Sequence, residues 1–202
     1  NTIAADRQGN AYYADISGTP NIDQKLIDRC QIQLSEKIHA LILLRGDDSN
    51  CEWYEDATTK VAGTLPADKM PRLTRLDYVS NSNDSYWLSN AQAPIEGYSP
   101  IIGSENSARS LRTRAGLTQL AELRSTKNWL DAEDLREMLY NHRNYAAELL
   151  LDDLLAFCEN DSRLKDACGV LSAWDRTMNV ESKGGHVWRE FWREARSIKD
   201  LY

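Results

Sequence analysis

The 202-residue chain has no apolar run near the roughly 20 residues of a membrane-spanning helix; its longest, ALILL at 40–44 and LLL at 149–151, are far shorter. A basic block is missing too. The 24 lysines and arginines are scattered among 31 aspartates and glutamates, for a net charge of −7, which excludes the concentrated positive footprint of a nucleic-acid binder. Histidine is scarce: His39, His142 and His186 are far apart, none four residues from another or beside a cysteine, and no C-x2-C pair occurs. A metal centre is therefore not expected, and nothing points to a cofactor. No G-x-S-x-G elbow and no Gly-rich phosphate loop appears. The opening stretch NTIAADRQGN has no initiator Met and no signal sequence, and it reads as a piece cut from a longer chain.

What is present can build a core: 42% of residues are apolar, enough for one ordinary domain or two small ones. The four cysteines fall in two local couples, and pairing of Cys30 with Cys51 and of Cys158 with Cys168 is favoured over free thiols. Each bond would close a loop of about 10 to 20 residues and add roughly 3 kcal/mol in the chain-entropy description. Such bonds imply an oxidising location, periplasmic or secreted.

Alternation on both sides of Gln8-Gly9-Asn10 predicts a β-hairpin, with Ile3 and Ala5 before the turn and Ala11 and Tyr13 after it. NIDQKLIDRC offers Asn21 as N-cap of a short helical turn with Ile22, Leu26 and Ile27 on one side. Glycines and prolines break the pattern between 31 and 70, and RLTRLDYVS at 72–80 reads as a strand. From about 107 the character is helical. Leu111, Ala115, Leu117 or Thr118, and Leu120 share a helical spacing, and Asp131 with Asp134 forms an acidic capping box. Ala147, Leu150, Leu151, Leu154 and Phe157 mark one face. Ser162 is expected to cap a helix burying Leu164, Cys168, Leu171 and Trp174, and Val187, Phe191, Ala195 and Ile198 mark a last one. The expected division is a strand-and-loop part over 1–103 and a helical lobe over 104–202, an α+β chain without repeats.

The acid pairs Asp47-Asp48 and Asp152-Asp153 read as solvated faces, and Asn83-Asp84-Ser85 and Asn160-Asp161-Ser162 match a glycosylation pattern that is frequent by chance. Six tryptophans, Trp53, Trp87, Trp129, Trp174, Trp188 and Trp192, could form a sugar-binding platform, but most fall on helical apolar faces where packing explains them. The most concentrated polar stretch is VSNSNDSYWLSN at 79–90, whose asparagines could donate to an oxygen bearing developing negative charge.

NTIAADRQGNAYYADIS, then NSNDSYWLSN and APIEGYSPIIG, with CGVLSAWDR and GGHVWREFW further on, together resemble the β-chain of the penicillin acylase family of N-terminal-nucleophile hydrolases, most closely its acyl-homoserine lactone acylases. The resemblance runs along nearly the whole chain. It implies strands of an αββα sandwich followed by a mainly helical lobe. It also implies an amidohydrolase whose N-terminal Ser forms an acyl-enzyme, its own amine acting as base. Carried over by motif, the side-chain donor of the oxyanion hole is Asn83, with Asp84, Ser85 and Trp87 as scaffolding. The supporting arginine matches Arg112, with Arg109 and Arg114 close enough in register to take its place. Asn1 stands where no Ser, Cys or Thr nucleophile does, so the resemblance implies an internal portion of a β-subunit, inactive alone. Its partners would be the remaining β-chain, the α-chain and a small acylated amide such as an N-acyl homoserine lactone or a penicillin. The other class of reading is a non-catalytic helical interaction or carbohydrate-binding module, which clustered exposed tryptophans would favour.

Overall fold

In the computed structural model, which describes residues 1–32, 41–158, 161–199 and 201, the first hairpin is set by Asp6. Its carboxylate accepts the N–H groups of Gln8 at 2.9 Å and Asn10 at 2.8 Å, and the Asn10 side-chain amide at 2.8 Å. Gly9 supplies the positive φ, 85°, that the turn needs. The predicted hairpin is present: β1 (Thr2–Ala5) pairs antiparallel with β2 (Ala11–Ala14), Thr2 opposite Ala14. A third strand, β3 (Arg72–Arg75), lies on the other side of β2, giving the order β1-β2-β3. β3 is shorter than the 72–80 strand expected. Arg75 pairs with Ala11, the first residue of β2, so beyond Arg75 the neighbouring chain is already turn and offers no ladder partners.

The chain forms two units, Asn1–Arg109 and Ser110–Tyr202. In the first, helix α1 (Gln24–Cys30) is capped by Asp23, whose carboxylate accepts the Leu26 N–H at 2.8 Å. Asn21 is therefore not the cap. It is buried, and its side-chain amide donates to the Tyr54 carbonyl at 2.9 Å, tying the helix entrance to a distant loop. Ile22, Leu26, Ile27 and the Cys30–Cys51 disulfide form the buried cluster, with Ile42, Leu44 and Ile101 against it. Twelve residues of sheet would be marginal alone, so this cluster and the loops carry much of the unit's stability.

The second unit is helical: α2 (Leu111–Thr126), α3 (Ala132–Tyr140), α4 (Tyr145–Cys158), α5 (Lys165–Ser172) and α6 (Gly185–Ala195). The Asp131–Asp134 capping box forms as predicted. Asp161, not Ser162, caps the 3-10 turn Ser162–Leu164 that leads into α5, because its carboxylate reaches the Arg163 N–H at 3.0 Å. Ala146, Ala147, Leu151, Leu171, Trp174 and Trp188 form the core, and the Cys158–Cys168 disulfide joins α4 to α5. Trp188 stacks on Trp192 and meets Trp174 at 5.9 Å between ring centroids. Two residues expected in this core are outside it. Phe157 is 62% exposed on α4, beside the buried Cys158, and Ile198 is 58% exposed beyond the end of α6.

Gly184, at φ 119°, allows the chain to enter α6 directly against Trp174. A Cβ there would stand 2.6 Å from the Trp174 Cβ, a distance that requires movement of the core. Gly184→Ala is expected to cost about 1–3 kcal/mol, from the forced φ and the overpacking together. Thermal unfolding compared with Gly169→Ala, where an added Cβ meets open space, measures it.

Candidate active site

Residues 79–90 leave the end of β3 as a closed loop. Its neck is built on Asp77. That carboxylate accepts Arg75 Nε at 2.8 Å and Nη2 at 2.9 Å, and the side-chain amide of the fully buried Asn90 at 3.2 Å. The Asn90 amide also donates to the Tyr78 carbonyl at 2.9 Å, and Ser80 N–H donates to the Ser89 carbonyl at 2.7 Å. Arg75 holds the Asp77 carboxyl well below the usual carboxylate range, against the opposing effect of burial.

Inside the neck, the Asn81 side chain organises the tip. Its Oδ1 accepts the Asn83 N–H at 2.8 Å and its amide donates to the Asp84 carbonyl at 3.2 Å. Asn83 consequently sits in the left-handed region, φ 56°, which asparagine tolerates better than most residues. It is exposed, and among the described residues its own side-chain amide makes no hydrogen bond. Two N–H donors are thus presented to solvent from a backbone that is fixed. Ser85 caps the 3-10 turn Tyr86–Leu88 through the Trp87 N–H, and Trp87 Nε1 donates to Glu96 at 3.0 Å.

The arginine that meets this loop is Arg109. Nη1 donates to Asp84 Oδ1 at 2.9 Å, Nε donates to the Ser107 carbonyl at 2.9 Å, and the guanidinium lies over the Trp87 ring at 5.4 Å. Its side chain is only 6% exposed, so its charge is compensated by Asp84 in a largely water-free setting. Arg112 is exposed in the first turn of α2, in the second unit, and Arg114 lies over Tyr145 in that unit. Residues 104–109 belong with the loop: Glu105 bonds Tyr86, Gly97 and Tyr98. The sequence reading gave Glu105 and Gly103 no role, and the only signal was position: Gly103 closes APIEGYSPIIG and Glu105 lies two residues beyond it.

Elsewhere, Trp174 and Trp188 are buried, and exposed Trp53 and Trp129 lie one in each unit. His142 and His186 are exposed and distant in sequence; His39 and Asn160 lie outside the described residues. Among the described residues, no group of three His, Cys, Asp or Glu side chains is placed to hold a metal ion, and no helix is long and apolar enough to cross a membrane.

The penicillin amidase family model matches residues 1–200. The chain belongs to that family. It is 36% identical over 194 residues to the acyl-homoserine lactone acylase PvdQ of Pseudomonas syringae pv. syringae, covering 93% of this chain and 24% of that protein. It is 35% identical over 189 residues to the acyl-homoserine lactone acylase PvdQ of Pseudomonas fluorescens, with the same shares covered. Against the aculeacin-A acylase of Actinoplanes utahensis the identity is 34% over 209 residues, covering 95% of this chain and 27% of that protein. The chain spans about a quarter of the length of these penicillin amidase relatives.

Asp77→Asn is expected to destabilise the neck by about 1–3 kcal/mol, because Arg75 loses its ionised partner. The sign with pH follows from the depressed pKa. The contribution of Asp77 is complete above the unfolded carboxylate value near about 3.9 and is lost as pH falls through its lower folded value. Unfolding midpoints of the two proteins should therefore differ most at neutral pH and converge in strong acid; equal midpoints at pH 7 would contradict the role given to Asp77.

Proposed function

We propose that the chain is part of an amidohydrolase that removes the acyl group from an acylated amine, with N-acyl homoserine lactones the leading substrate class and penicillin-type amides the nearest alternative. The observation that carries this reading is the Asn83 amide, exposed and, among the described residues, without a hydrogen bond, on a loop whose tip is fixed by Asn81. Family membership and the names of the relatives, acylases of homoserine lactones and of aculeacin A, support the reaction class.

In this mechanism an N-terminal Ser, carried by another segment of the parent protein, attacks the amide carbonyl with its own amine as base. The carbonyl oxygen gains negative charge as the tetrahedral intermediate forms. Asn83 donates a side-chain N–H to that oxygen, while a backbone N–H elsewhere in the parent donates the second bond. The amine product leaves, and water releases the acyl group as a free acid. Arg109 takes the supporting part that sequence register assigned to Arg112: by bonding Asp84 and covering Trp87 it fixes the loop next to the donor. The rest of the β-chain and the α-chain would complete the αββα sandwich and the acyl pocket. Two disulfides fit a periplasmic or secreted protein.

In the full-length parent, Asn83→Ala should lower kcat about a hundredfold or more with little effect on the fold. The matching assay on Asn81→Ala separates the donor from the residue that shapes the tip, and near-normal turnover by Asn83→Ala would sink the assignment. Arg109→Ala should lower both kcat and thermal stability, whereas Arg112→Ala should leave stability within about 0.5 kcal/mol, as exposed surface changes do. A strong kcat loss in Arg112→Ala with none in Arg109→Ala would return the supporting role to Arg112.

A further inference from the structure

Asp84, Ser85 and Tyr86, the three residues that follow Asn83, are each held by a different residue of segment 103–109. Arg109 bonds Asp84 at 2.9 Å. Gly103 lies so near Ser85 that a Cβ there would stand 2.7 Å from Ser85 Oγ and 3.2 Å from its Cα, so only glycine leaves the serine where it is. The Tyr86 hydroxyl donates a hydrogen bond to Glu105 Oε1. The same oxygen, Oε1, accepts the N–H groups of Gly97 at 2.9 Å and Tyr98 at 3.3 Å, and the Tyr98 ring meets that of Tyr86 edge-on with centroids 5.2 Å apart.

One carboxylate oxygen thus gathers three donors from two chain segments. The phenol it holds belongs to a side chain that is 1% exposed, and burial together with this bond pushes the Tyr86 hydroxyl well above its ordinary pKa, so it remains a donor. From Tyr86 the tie passes across the loop. Its carbonyl accepts Ser89 Oγ at 2.7 Å and Ser89 N–H at 3.0 Å, and the Ser89 carbonyl takes the Ser80 N–H at 2.7 Å. Both limbs that carry Asn83 are therefore fixed relative to the Tyr86 ring.

We propose that Glu105 is a positioning residue for the Asn83 amide, acting through Tyr86. This rests on the reading of Asn83 as the oxyanion donor. A donor is useful only within about 2.7–3.1 Å of the place where the oxyanion forms. Displacement by about 1 Å costs on the order of a hundredfold in rate. Removing the Glu105–Tyr86 bond releases the base of the loop without touching substrate, so the loss falls on the chemical step and not on acyl binding.

The test uses the full-length parent with whichever of an N-acyl homoserine lactone or penicillin G the wild type hydrolyses. Tyr86→Phe, which keeps the ring, and Glu105→Ala should each lower kcat about tenfold or more, with KM changed less than about twofold. Glu105→Gln keeps a carbonyl acceptor and should recover most of kcat, and the Tyr86→Phe/Glu105→Ala double variant should be no slower than the slower single one. Asn83→Ala, run alongside, keeps the two ideas apart. If it is slow while Tyr86→Phe and Glu105→Ala stay within about twofold of wild type, the positioning role is wrong and the function stands. If Asn83→Ala is itself unimpaired, both fall. If Glu105→Ala fails to fold, Tyr86→Phe alone decides. A Glu105→Gln protein as slow as Glu105→Ala overturns the proposal as well.

Discussion

The pairing of Asp77 with Arg75 and Asn90 is the constraint from which the rest of the first unit's site follows. It stands where β3 runs out of partners, and it converts the end of a strand into the neck of a loop. Asn90 is fully buried and directs one amide to Asp77 and to the Tyr78 carbonyl, so the outgoing limb is held to the incoming one by groups that have no water to turn to. An unmade bond there would leave a buried donor unsatisfied at a cost of about 1–3 kcal/mol. Twelve residues of largely polar loop can be ordered on that basis, with Tyr86 as their one fully buried aromatic.

Above the neck the order is carried by side chains reading the backbone. Asn81 fixes the Asn83 N–H, Ser85 caps the following 3-10 turn, and Ser89 returns to the Tyr86 carbonyl. Short side chains of this kind compete with regular structure for backbone groups, which is why a stretch rich in them leaves the sheet yet remains defined. The crowding of Asn and Ser in VSNSNDSYWLSN has that origin: most of these side chains shape the loop, and Asn83 is the one whose amide faces outward without a bond.

Local chemistry was legible in the sequence wherever one segment decided it. The Gln8-Gly9-Asn10 hairpin, the Asp131–Asp134 capping box and both disulfide pairings needed only neighbours in the chain. The cap at Asp161 in place of Ser162 was a local miss by one residue, and other errors came from the tertiary setting. Asn21 looked like a cap but was claimed by the Tyr54 carbonyl, leaving Asp23 to cap α1. The strand at 72–80 had the right composition, but its length was set by where β2 begins. Phe157 and Ile198 had helical spacing with nothing opposite them to pack on. For the proposed site, motif likeness pointed to the loop and to Asn83, which the structure shows exposed. It could not say which of three arginines within six residues meets Asp84, because that depends on how the irregular segment 97–109 folds back to bring Arg109 there.

That segment explains how an uncharged, solvent-facing amide can be held still. Asn83 has a left-handed backbone and, among the described residues, a side chain with no hydrogen bond, the combination least able to fix itself. Asn81 holds its N–H from the preceding side, and the residues that follow are met by a buried cation, a glycine and a carboxylate respectively. The three act by different physics: Arg109 by charge in a poorly hydrated setting, Gly103 by the absence of a side chain, Glu105 by gathering three donors on one oxygen. No one of them could be inferred from periodicity, since none lies in a helix or strand. Their joint effect is to order the loop in advance, which is the condition the proposed donor role of Asn83 requires, since a neutral donor stabilises developing charge best when it need not reorganise.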